Sequence, residues 1–364
     1  MSNTKTKNII VAGGAGFIGS NLCEELVKRG NNVLCIDNFS TGSQKNIDHL
    51  LQSTNFEFIN YDLTKPIDLE NYREAKKFKI EFYGVSEIYN LACPNSSKDS
   101  VKLSFETAFA NSHVTKTLLD IAEKYSSKVL FTSSSSVYGI PEDGSYLIDE
   151  KYIGHIDNLS DSACYDEGKR FAETICNIYN KNKNIDIKVA RVFPTYGPRM
   201  RLDSGVFIAD AIIKAVNNED IVVEYSKDEH ASFCYVKDLV EGMILIMDNG
   251  KFGPYNIGNP EAIKISEVID VVKKIVSSVS LVEYKDSGKK KIIPNIDLVK
   301  EKFGWFPLTL LEEALRDTVD YMKAAKNSFN TSDIFKEDED GNIKVAKDSL
   351  KKQKNSIFSM IFKE

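Results

Sequence analysis

Short apolar runs rich in β-branched residues alternate with longer amphipathic stretches through the first half of the chain. Runs of about four to eight such residues are typical of buried parallel strands, and the amphipathic stretches are typical of helices. A doubly wound parallel sheet of α/β class is indicated when such strands and helices alternate, and its ligands bind beyond the carboxyl ends of the strands. The pattern predicts strands at 8–12, 32–36, 56–60, 87–92 and 128–132, and helices at 20–29, 64–86, 104–125 and 162–181.

The second half of the chain continues the α/β pattern with shorter elements. It predicts helices at 206–217, 265–277 and 310–325 and a strand at 221–225. We therefore predict a sheet domain at 1–192, a smaller C-terminal α/β substrate lobe at 193–325 and a charged tail at 326–364. The tail ends in an apolar stretch at 356–362, which leaves open whether it is loosely ordered or docks on the body or a partner.

The overall composition is that of an ordinary globular protein. Of the 364 residues 42% are hydrophobic and 27% charged, and the net charge of -6 gives no reason to expect nucleic acid as a partner. The six cysteines are scattered without a Cys-x-x-Cys pair or Cys/His cluster, so we expect no metal site and no disulfides. With no signal peptide and no apolar stretch long enough to span a bilayer, we expect a cytoplasmic protein without a membrane partner.

A glycine-rich loop joins the first predicted strand to the first helix. Gly13 permits a tight turn, Gly16 lets a pyrophosphate approach the helix N-terminus, and Gly19 allows close packing of helix on strand. A glycine turn alone can be purely structural, but here Asp37 follows about 20 residues after the loop, at the end of the next strand. A carboxylate there can bind both ribose hydroxyls and would repel a 2′-phosphate. The loop therefore predicts a Rossmann-type sheet that binds NAD rather than NADP.

Further cofactor contacts are predicted where the other strands end. Asp62 and Leu63 are placed near the adenine, and Leu91 and Ala92 near a ribose. The predicted cofactor residues outside the catalytic helix are Gly13, Gly16, Phe17, Ile18, Asp37, Asn38, Asp62, Leu63, Leu91, Ala92 and Asn111.

Candidate catalytic groups lie in the helix predicted at 162–181 and in the loop that follows the strand predicted at 128–132. Tyr165 and Lys169 stand at i and i+4, one turn apart on one helix face. A phenol has a pKa near ~10, and a neighbouring ammonium favours the phenolate, so the pair predicts a general base for a substrate hydroxyl. An ordinary surface Tyr/Lys pair has the same spacing, and a serine run such as 133–136 is usually a loop. The position of that run at a strand end makes Ser134 the natural third member of the site.

Over about residues 8–322 the chain resembles the extended short-chain dehydrogenase/reductases that act on nucleotide sugars, and within them the UDP-glucuronate decarboxylases most. The resemblance implies that Ser134 is the catalytic hydroxyl, Tyr165 the base, and Lys169 both a cofactor ligand and the group that tunes the tyrosine. It also implies a homodimer formed through a four-helix bundle from 104–125 and 162–181. The matching segments are VAGGAGFIGS at 11–20, LACP at 91–94, CYDEGK at 164–169, ARVF at 190–193, TYGPRM at 195–200, YVKDLV at 235–240, YNIGN at 255–259 and FGW at 303–305.

The chain departs from these relatives where the sugar is expected to bind. The decarboxylases place a glutamate just before Val-Tyr-Gly, whereas this chain has Ser136. The 4,6-dehydratases need an Asp-Glu pair where this chain has Ser135 and Ser136, so dehydration is disfavoured. The small hydroxylic pattern is more similar to that of the 4-epimerases. We expect both serines to contact the sugar.

The predicted diphosphate site also departs from the family. Pro194 replaces an asparagine, and Val206, Ala231 and Ile292 stand where relatives carry basic residues, while Asp210 stands on an asparagine. Each lost charged hydrogen bond costs about 1.5–3 kcal/mol, which would weaken binding of an ordinary UDP-sugar strongly. The candidates to compensate are Arg199, Arg201, His230 and the lysines at 289–291, although His230 can also be read as an exposed loop histidine. The predicted substrate residues are Ser135, Ser136, Pro194, Arg199 and His230.

Three functions are consistent with such a chain. In the first, Tyr165 deprotonates the C4 hydroxyl of a nucleotide sugar and hydride passes to NAD. The 4-keto intermediate is then changed and re-reduced, with epimerisation and decarboxylation both open. The second is the same chemistry on a substrate without the usual nucleotide diphosphate. The third is a non-catalytic NAD-binding protein, which the intact Ser134, Tyr165 and Lys169 set speaks against.

Overall fold

The computed structural model describes residues 6–95, 99, 102–141, 146–201, 206–285 and 291–332, and the strands at 335–337 and 343–345. From residue 325 onward it describes the backbone alone. Lys289, Lys290 and the predicted apolar end of the tail at 356–362 lie outside the described residues.

Within the described residues, the strands after residue 192 have two or three residues, whereas those before it, with one exception, have four or more. They are β1 Asn8–Ala12, β2 Asn32–Asp37, β3 Phe56–Asn60, β4 Glu87–Asn90, β5 Lys128–Ser134, β6 Leu147–Ile148, β7 Ile187–Val192, β8 Thr195–Tyr196, β9 Ile221–Val223, β10 His230–Ala231, β11 Cys234–Tyr235, β12 Tyr255–Ile257, β13 Ile263–Lys264, β14 Val282–Tyr284, β15 Ile293–Pro294, β16 Phe335–Glu337 and β17 Ile343–Val345.

Two of the described helices are longer than 20 residues, and one of these, Ala163–Lys183, packs against β5 beside the predicted catalytic loop. They are α1 Phe17–Lys28, α2 Arg73–Lys77, α3 Ile80–Tyr83, α4 Ser104–Phe109, α5 Thr115–Tyr125, α6 Ala163–Lys183, α7 Phe207–Asn217, α8 Val236–Asn249, α9 Ile265–Val276, α10 Asp297–Phe303 and α11 Leu311–Ser332. A π-helical turn, Ala110–Val114, joins α4 to α5, and a 3₁₀ turn, Ser135–Tyr138, follows β5.

A seven-stranded sheet in the order β12-β7-β5-β4-β1-β2-β3 forms the centre of the described structure, and every pairing in it is parallel. All five residues of β1 are buried because helices cover both faces. Ile9 and Val11 belong to the core on one face, and Ile10 and Ala12 to the core on the other. The predicted doubly wound parallel sheet is confirmed. Its strands end along one edge, and that edge places the glycine loop beside the serine run.

The sheet takes one strand from beyond residue 192. β12 pairs with β7 through Tyr255–Ile257, and α8 packs against α1 and β5. The predicted boundary between the two domains therefore falls inside the sheet. The stretch predicted as a separate lobe thus contributes one strand to the sheet.

The stretch predicted as one helix at 64–86 is broken instead. α2 and α3 are separated by Lys79, whose backbone is left-handed with φ 52, so helical geometry is interrupted at that residue. The sequence pattern also missed β7 and α8. Among the described residues, we find no helix with the length and apolarity needed to cross a bilayer.

Candidate active site

A cavity of about 670 Å³ opens at the carboxyl edge of the sheet, and most of the predicted site residues line it. They come from loops that are far apart in sequence and meet because parallel strands end at one edge. The predicted residues found there are Gly13, Gly16, Phe17, Ile18, Asp37, Asn38, Asp62, Leu63, Leu91, Ala92, Ser134, Ser135, Ser136, Tyr165, Lys169 and Pro194.

The glycine loop forms a cradle that side chains would fill. Gly13 has φ +75, and a Cβ on it would lie 2.8 Å from the backbone of Ala92 in the loop after β4. A Cβ on Gly19 would lie 2.2 Å from the carbonyl oxygen of Gly13. The loop leads directly into α1, so its backbone N–H groups and the helix dipole suit a bound pyrophosphate.

Asp37 is held at the end of β2 with its carboxylate toward the cavity. Its Oδ2 accepts a hydrogen bond from the Ala15 N–H at 3.0 Å, and its Oδ1 accepts one from the Phe39 N–H at 2.8 Å. Burial raises the pKa of Asp37 above its ordinary value, although these hydrogen bonds act in the opposite direction. The cradle and this carboxylate fit NAD, whose ribose hydroxyls would be bound by Asp37.

Tyr165 and Lys169 lie in the first turns of α6, beside the end of β5. Lys169 is only 5% exposed, and its ammonium donates a hydrogen bond to the Thr132 carbonyl at 2.8 Å. The same Nζ lies 5.7 Å from the centroid of the Tyr165 ring. Tyr165 is also hydrogen-bonded to the Ser134 side chain. The three predicted catalytic residues are therefore neighbours at the cavity wall.

The protonation equilibria differ from the sequence-based expectation that Lys169 lowers the pKa of Tyr165. Burial raises the pKa of Tyr165 well above its ordinary value, and the hydrogen bond with Ser134 opposes this only in part. Burial also lowers the pKa of Lys169. Burial disfavours the phenolate of Tyr165 and the ammonium of Lys169, and this effect outweighs the attraction between the two charges. The charge of a bound nicotinamide would favour the phenolate.

Ser135 and Ser136 present hydroxyls at the positions where some relatives carry carboxylates. Ser135 and Ser136 form the 3₁₀ turn after β5, and the Ser134 side chain caps it by accepting the Ser136 N–H at 3.1 Å. The Ser136 Oγ is buried and has no hydrogen-bond partner among the residues that the structure describes. It is thus available to a ligand in the cavity.

Three predicted site residues do not line the cavity. Asn111 is buried in the π-turn, where its Nδ2 donates to the Thr107 carbonyl at 3.0 Å. His230 is exposed on β10, because the alternation of side chains along a strand turns Ala231 inward instead. Arg199 has a left-handed backbone, φ 71, and points toward α1. It is not placed to reach a ligand, and neither is His230.

Arg199 instead connects the loop after β8 to the first helix. Its Nη2 donates to Asn21 Oδ1 at 2.6 Å and to Glu24 Oε2 at 2.7 Å. Burial on its own raises the pKa of Glu24. Hydrogen bonds and charge from Lys28 and Arg199 outweigh that effect and lower the pKa from 4.5 to about 2. Arg199 thus stabilises the junction between the lobe and α1.

A polar network that sequence patterns did not reveal lies beside the serine run at 133–136. Arg191 on β7 makes two hydrogen bonds to Glu173 on α6, at 2.9 and 2.7 Å. Glu173 Oε1 also accepts the Ser133 hydroxyl at 2.6 Å, and the Arg191 guanidinium lies 4.7 Å from the Tyr138 ring centroid. Glu173 stands four residues after Lys169 on α6. The network therefore ties α6 to the strand end that carries Ser134.

The described residues contain no group of three or more His, Cys, Asp or Glu side chains arranged to hold a metal ion. Hydroxyls, a phenol and an ammonium meet beside the dinucleotide cradle in this cavity, whose wall also includes the guanidinium of Arg201 and several carboxylates. Together, the sheet and this constellation define a dinucleotide-dependent enzyme that acts on an alcohol.

Comparison with known proteins identifies the family. Residues 9–258 match the model of the NAD dependent epimerase/dehydratase family, so the chain belongs to that family. Among its relatives is UDP-glucuronic acid decarboxylase 1 of Xenopus tropicalis, 34% identical over 326 residues, or 89% of this chain and 74% of the relative. UDP-glucuronic acid decarboxylase 1 of Arabidopsis thaliana is 36% identical over 316 residues, which cover 85% of this chain and 68% of the relative.

Solved structures show the same architecture. The UDP-glucuronic acid 4-epimerase of Bacillus cereus, crystallised with UDP-glucuronic acid and NAD, matches with a TM-score of 0.75 at 26% identity. The match covers 87% of this chain and 99% of the epimerase. The predicted family and the predicted NAD cofactor are confirmed by these comparisons.

Removing the charge of Glu173 is expected to destabilise the protein. In Glu173→Gln the largely buried Arg191 loses its counter-ion, so we expect the free energy of unfolding in urea to fall by about 2–3 kcal/mol. Glu167→Gln is the matched control, since Glu167 lies on the same helix in a longer and more exposed ion pair with Arg170. This substitution should change the free energy of unfolding by less than about 1 kcal/mol. Equal stabilities of the two variants would contradict a structural role for the network.

The lowered pKa of Glu24 predicts a pH-dependent contribution to stability. Because the folded pKa is depressed, the stabilisation is complete above pH 4.5 and is lost as the pH falls toward 2. Glu24→Gln should therefore cost about 1–2 kcal/mol at pH 7, allowing for partial solvent screening, and progressively less below pH 4.5. Denaturation at a series of pH values measures this, with Glu25→Gln as the control on the same helix. A difference that does not depend on pH would contradict the assignment.

Proposed function

We propose that the protein modifies a nucleotide sugar through transient oxidation at C4, as an NAD-dependent epimerase or decarboxylase. The observation that carries this proposal is the meeting of Ser134, Tyr165 and Lys169 beside the glycine cradle in one cavity. The names of the relatives, which are UDP-glucuronic acid decarboxylases and 4-epimerases, support a sugar nucleotide as the substrate.

Each residue of the set has a distinct task in this proposal. The Tyr165 oxygen takes the proton from the C4 hydroxyl, and the Ser134 hydroxyl holds that oxygen in line for the transfer. Lys169, anchored by the Thr132 carbonyl, favours the phenolate and binds the cofactor ribose. When bound, NAD would supply the hydride acceptor that transient oxidation at C4 requires and, once reduced, the hydride donor for the second half of the reaction.

UDP-glucuronate is the substrate that we propose to test first. It appears in the names of the decarboxylase relatives and in that of the Bacillus cereus 4-epimerase, which was crystallised with it. Overall similarity supports decarboxylation, whereas Ser136, with its buried hydroxyl in place of a glutamate, favours epimerisation at C4. Proton NMR of the reaction separates the two outcomes, since decarboxylation releases a pentose product and epimerisation inverts C4.

We also propose that the protein acts as a homodimer in a reducing compartment such as the cytoplasm. α4 and α6 pack against each other and leave apolar side chains outward, with Phe105 75% and Phe171 56% exposed. Phe109 and Ile178 extend this surface. An exposed apolar face on two adjacent helices suits a four-helix bundle with a second copy. The cysteines are free thiols, which supports the compartment.

Replacing Tyr165 with phenylalanine tests the catalytic assignment. Tyr165→Phe keeps the ring but removes the base, so we expect kcat with UDP-glucuronate to fall about 10²–10⁴-fold while NAD affinity stays unchanged. Tyr83→Phe, an exposed tyrosine on α3, is the control and should retain full activity. A fully active Tyr165→Phe enzyme would rule out the proposed mechanism.

A charge placed on the apolar face of α6 tests the dimer. Phe171→Asp should convert the protein from two chains to one, because a carboxylate in the bundle would be buried without a partner. Phe82→Asp, on exposed α3, is the control and should leave the mass unchanged. Light scattering after size-exclusion chromatography measures both variants. A wild-type protein with the mass of one chain would refute the dimer.

A further inference from the structure

The cavity contains a cation that no catalytic role accounts for. Among its described lining residues, Lys169 and Arg201 are the ones with positively charged side chains, and Lys169 is committed to Thr132 and Tyr165. We propose that Arg201 binds an anionic group of the substrate and that Asp99 is an internal counter-ion which this group displaces. The inference rests on the proposed function and names the determinant of substrate recognition at the same site.

The pair bridges the two sides of the cavity. Arg201 follows β8 on the lobe side, and Asp99 follows β4 on the side of the cofactor domain. The Arg201 Nη1 donates to Asp99 Oδ2 at 2.7 Å, and both residues line the cavity. The Asp99 side chain is 10% exposed, whereas that of Arg201 is 33% exposed. The Arg201 side chain therefore keeps a solvent-accessible surface, while Asp99, which also lines the cavity, balances its charge.

Of the described residues predicted at the diphosphate site, Arg201 is the one that brings a positive charge to the cavity. Val206 and Pro194 line the cavity without charge, and Ala231 is buried and apolar. Arg199 is bound to Asn21 and Glu24, and His230 is exposed on β10. A planar guanidinium forms paired hydrogen bonds with a phosphate or carboxylate, so Arg201 suits either the diphosphate or a uronate.

In this proposal, the substrate anion takes the place of the Asp99 carboxylate beside Arg201. A substrate anion near Arg201 meets repulsion from Asp99 as well as attraction from the guanidinium. Removing Arg201 should therefore weaken binding, whereas neutralising Asp99 should strengthen it. A pair that served only to join the two loops would behave differently, because either substitution would break the same contact and would weaken binding in the same direction.

The experiment is calorimetry on the NAD-loaded protein in a Tyr165→Phe background, so that ligands are not consumed. We expect Arg201→Gln to raise the Kd for UDP-glucuronate about 10- to 100-fold and Asp99→Asn to lower it severalfold. UDP and UDP-glucose serve as the other probes. If Arg201→Gln weakens binding of all three ligands, Arg201 contacts the diphosphate. If it weakens binding of UDP-glucuronate alone, Arg201 contacts the carboxylate.

The control is the exposed ion pair Lys274–Glu312 in the same lobe, whose residues do not line the cavity. Lys274→Gln and Glu312→Gln make the same charge changes and should leave every Kd unaltered. An unchanged Kd in Arg201→Gln, or weaker binding in both Arg201→Gln and Asp99→Asn, would overturn the proposal. Binding is measured without turnover, so a failure of the proposed catalysis appears separately, as full activity of Tyr165→Phe.

Discussion

The buried ammonium of Lys169 is the interaction on which the active-site end of the protein depends. Burying a charged amine is costly unless a partner is supplied, and the Thr132 carbonyl at the end of β5 supplies it. That hydrogen bond fixes α6 against β5, and so fixes Tyr165 against Ser134. Glu173, one turn further along α6, ties the same helix to the strand end through Ser133 and Arg191.

The predicted cofactor site and the predicted catalytic residues lie together because parallel strands end at one edge of the sheet. The glycine cradle lies at the end of β1 and the acid that suits a ribose at the end of β2, while the hydroxyls follow β5. The lobe contributes the opposite wall, with Pro194 and Arg201. The seventh strand, β12, comes from the stretch predicted as the lobe, so that stretch is joined to the sheet both where it follows β7 and at β12.

The sequence predicted the features that depend on local patterns. The glycine spacing, the acid after β2 and the i, i+4 pair Tyr165 and Lys169 are all short-range signals, and the structure brings these residues into one cavity. Directions of side chains were harder to predict. The Arg199 side chain is held by Asn21 and Glu24 on α1, and His230 faces solvent because side chains alternate along its strand. The pairing of Arg201 with Asp99 joins loops that are distant in the chain, and no local pattern reveals it.

In the mechanism that we propose, Tyr165 becomes a base because positive charge around the buried phenol stabilises its phenolate. The most direct measurement is an ultraviolet difference titration of tyrosinate, with Tyr165→Phe subtracted to remove the other tyrosines. Burial keeps the pKa of this phenol high in the free protein. We expect it to fall markedly when NAD+ is bound, since the nicotinamide and Lys169 then act together. An identical titration with and without NAD+ would contradict the claim.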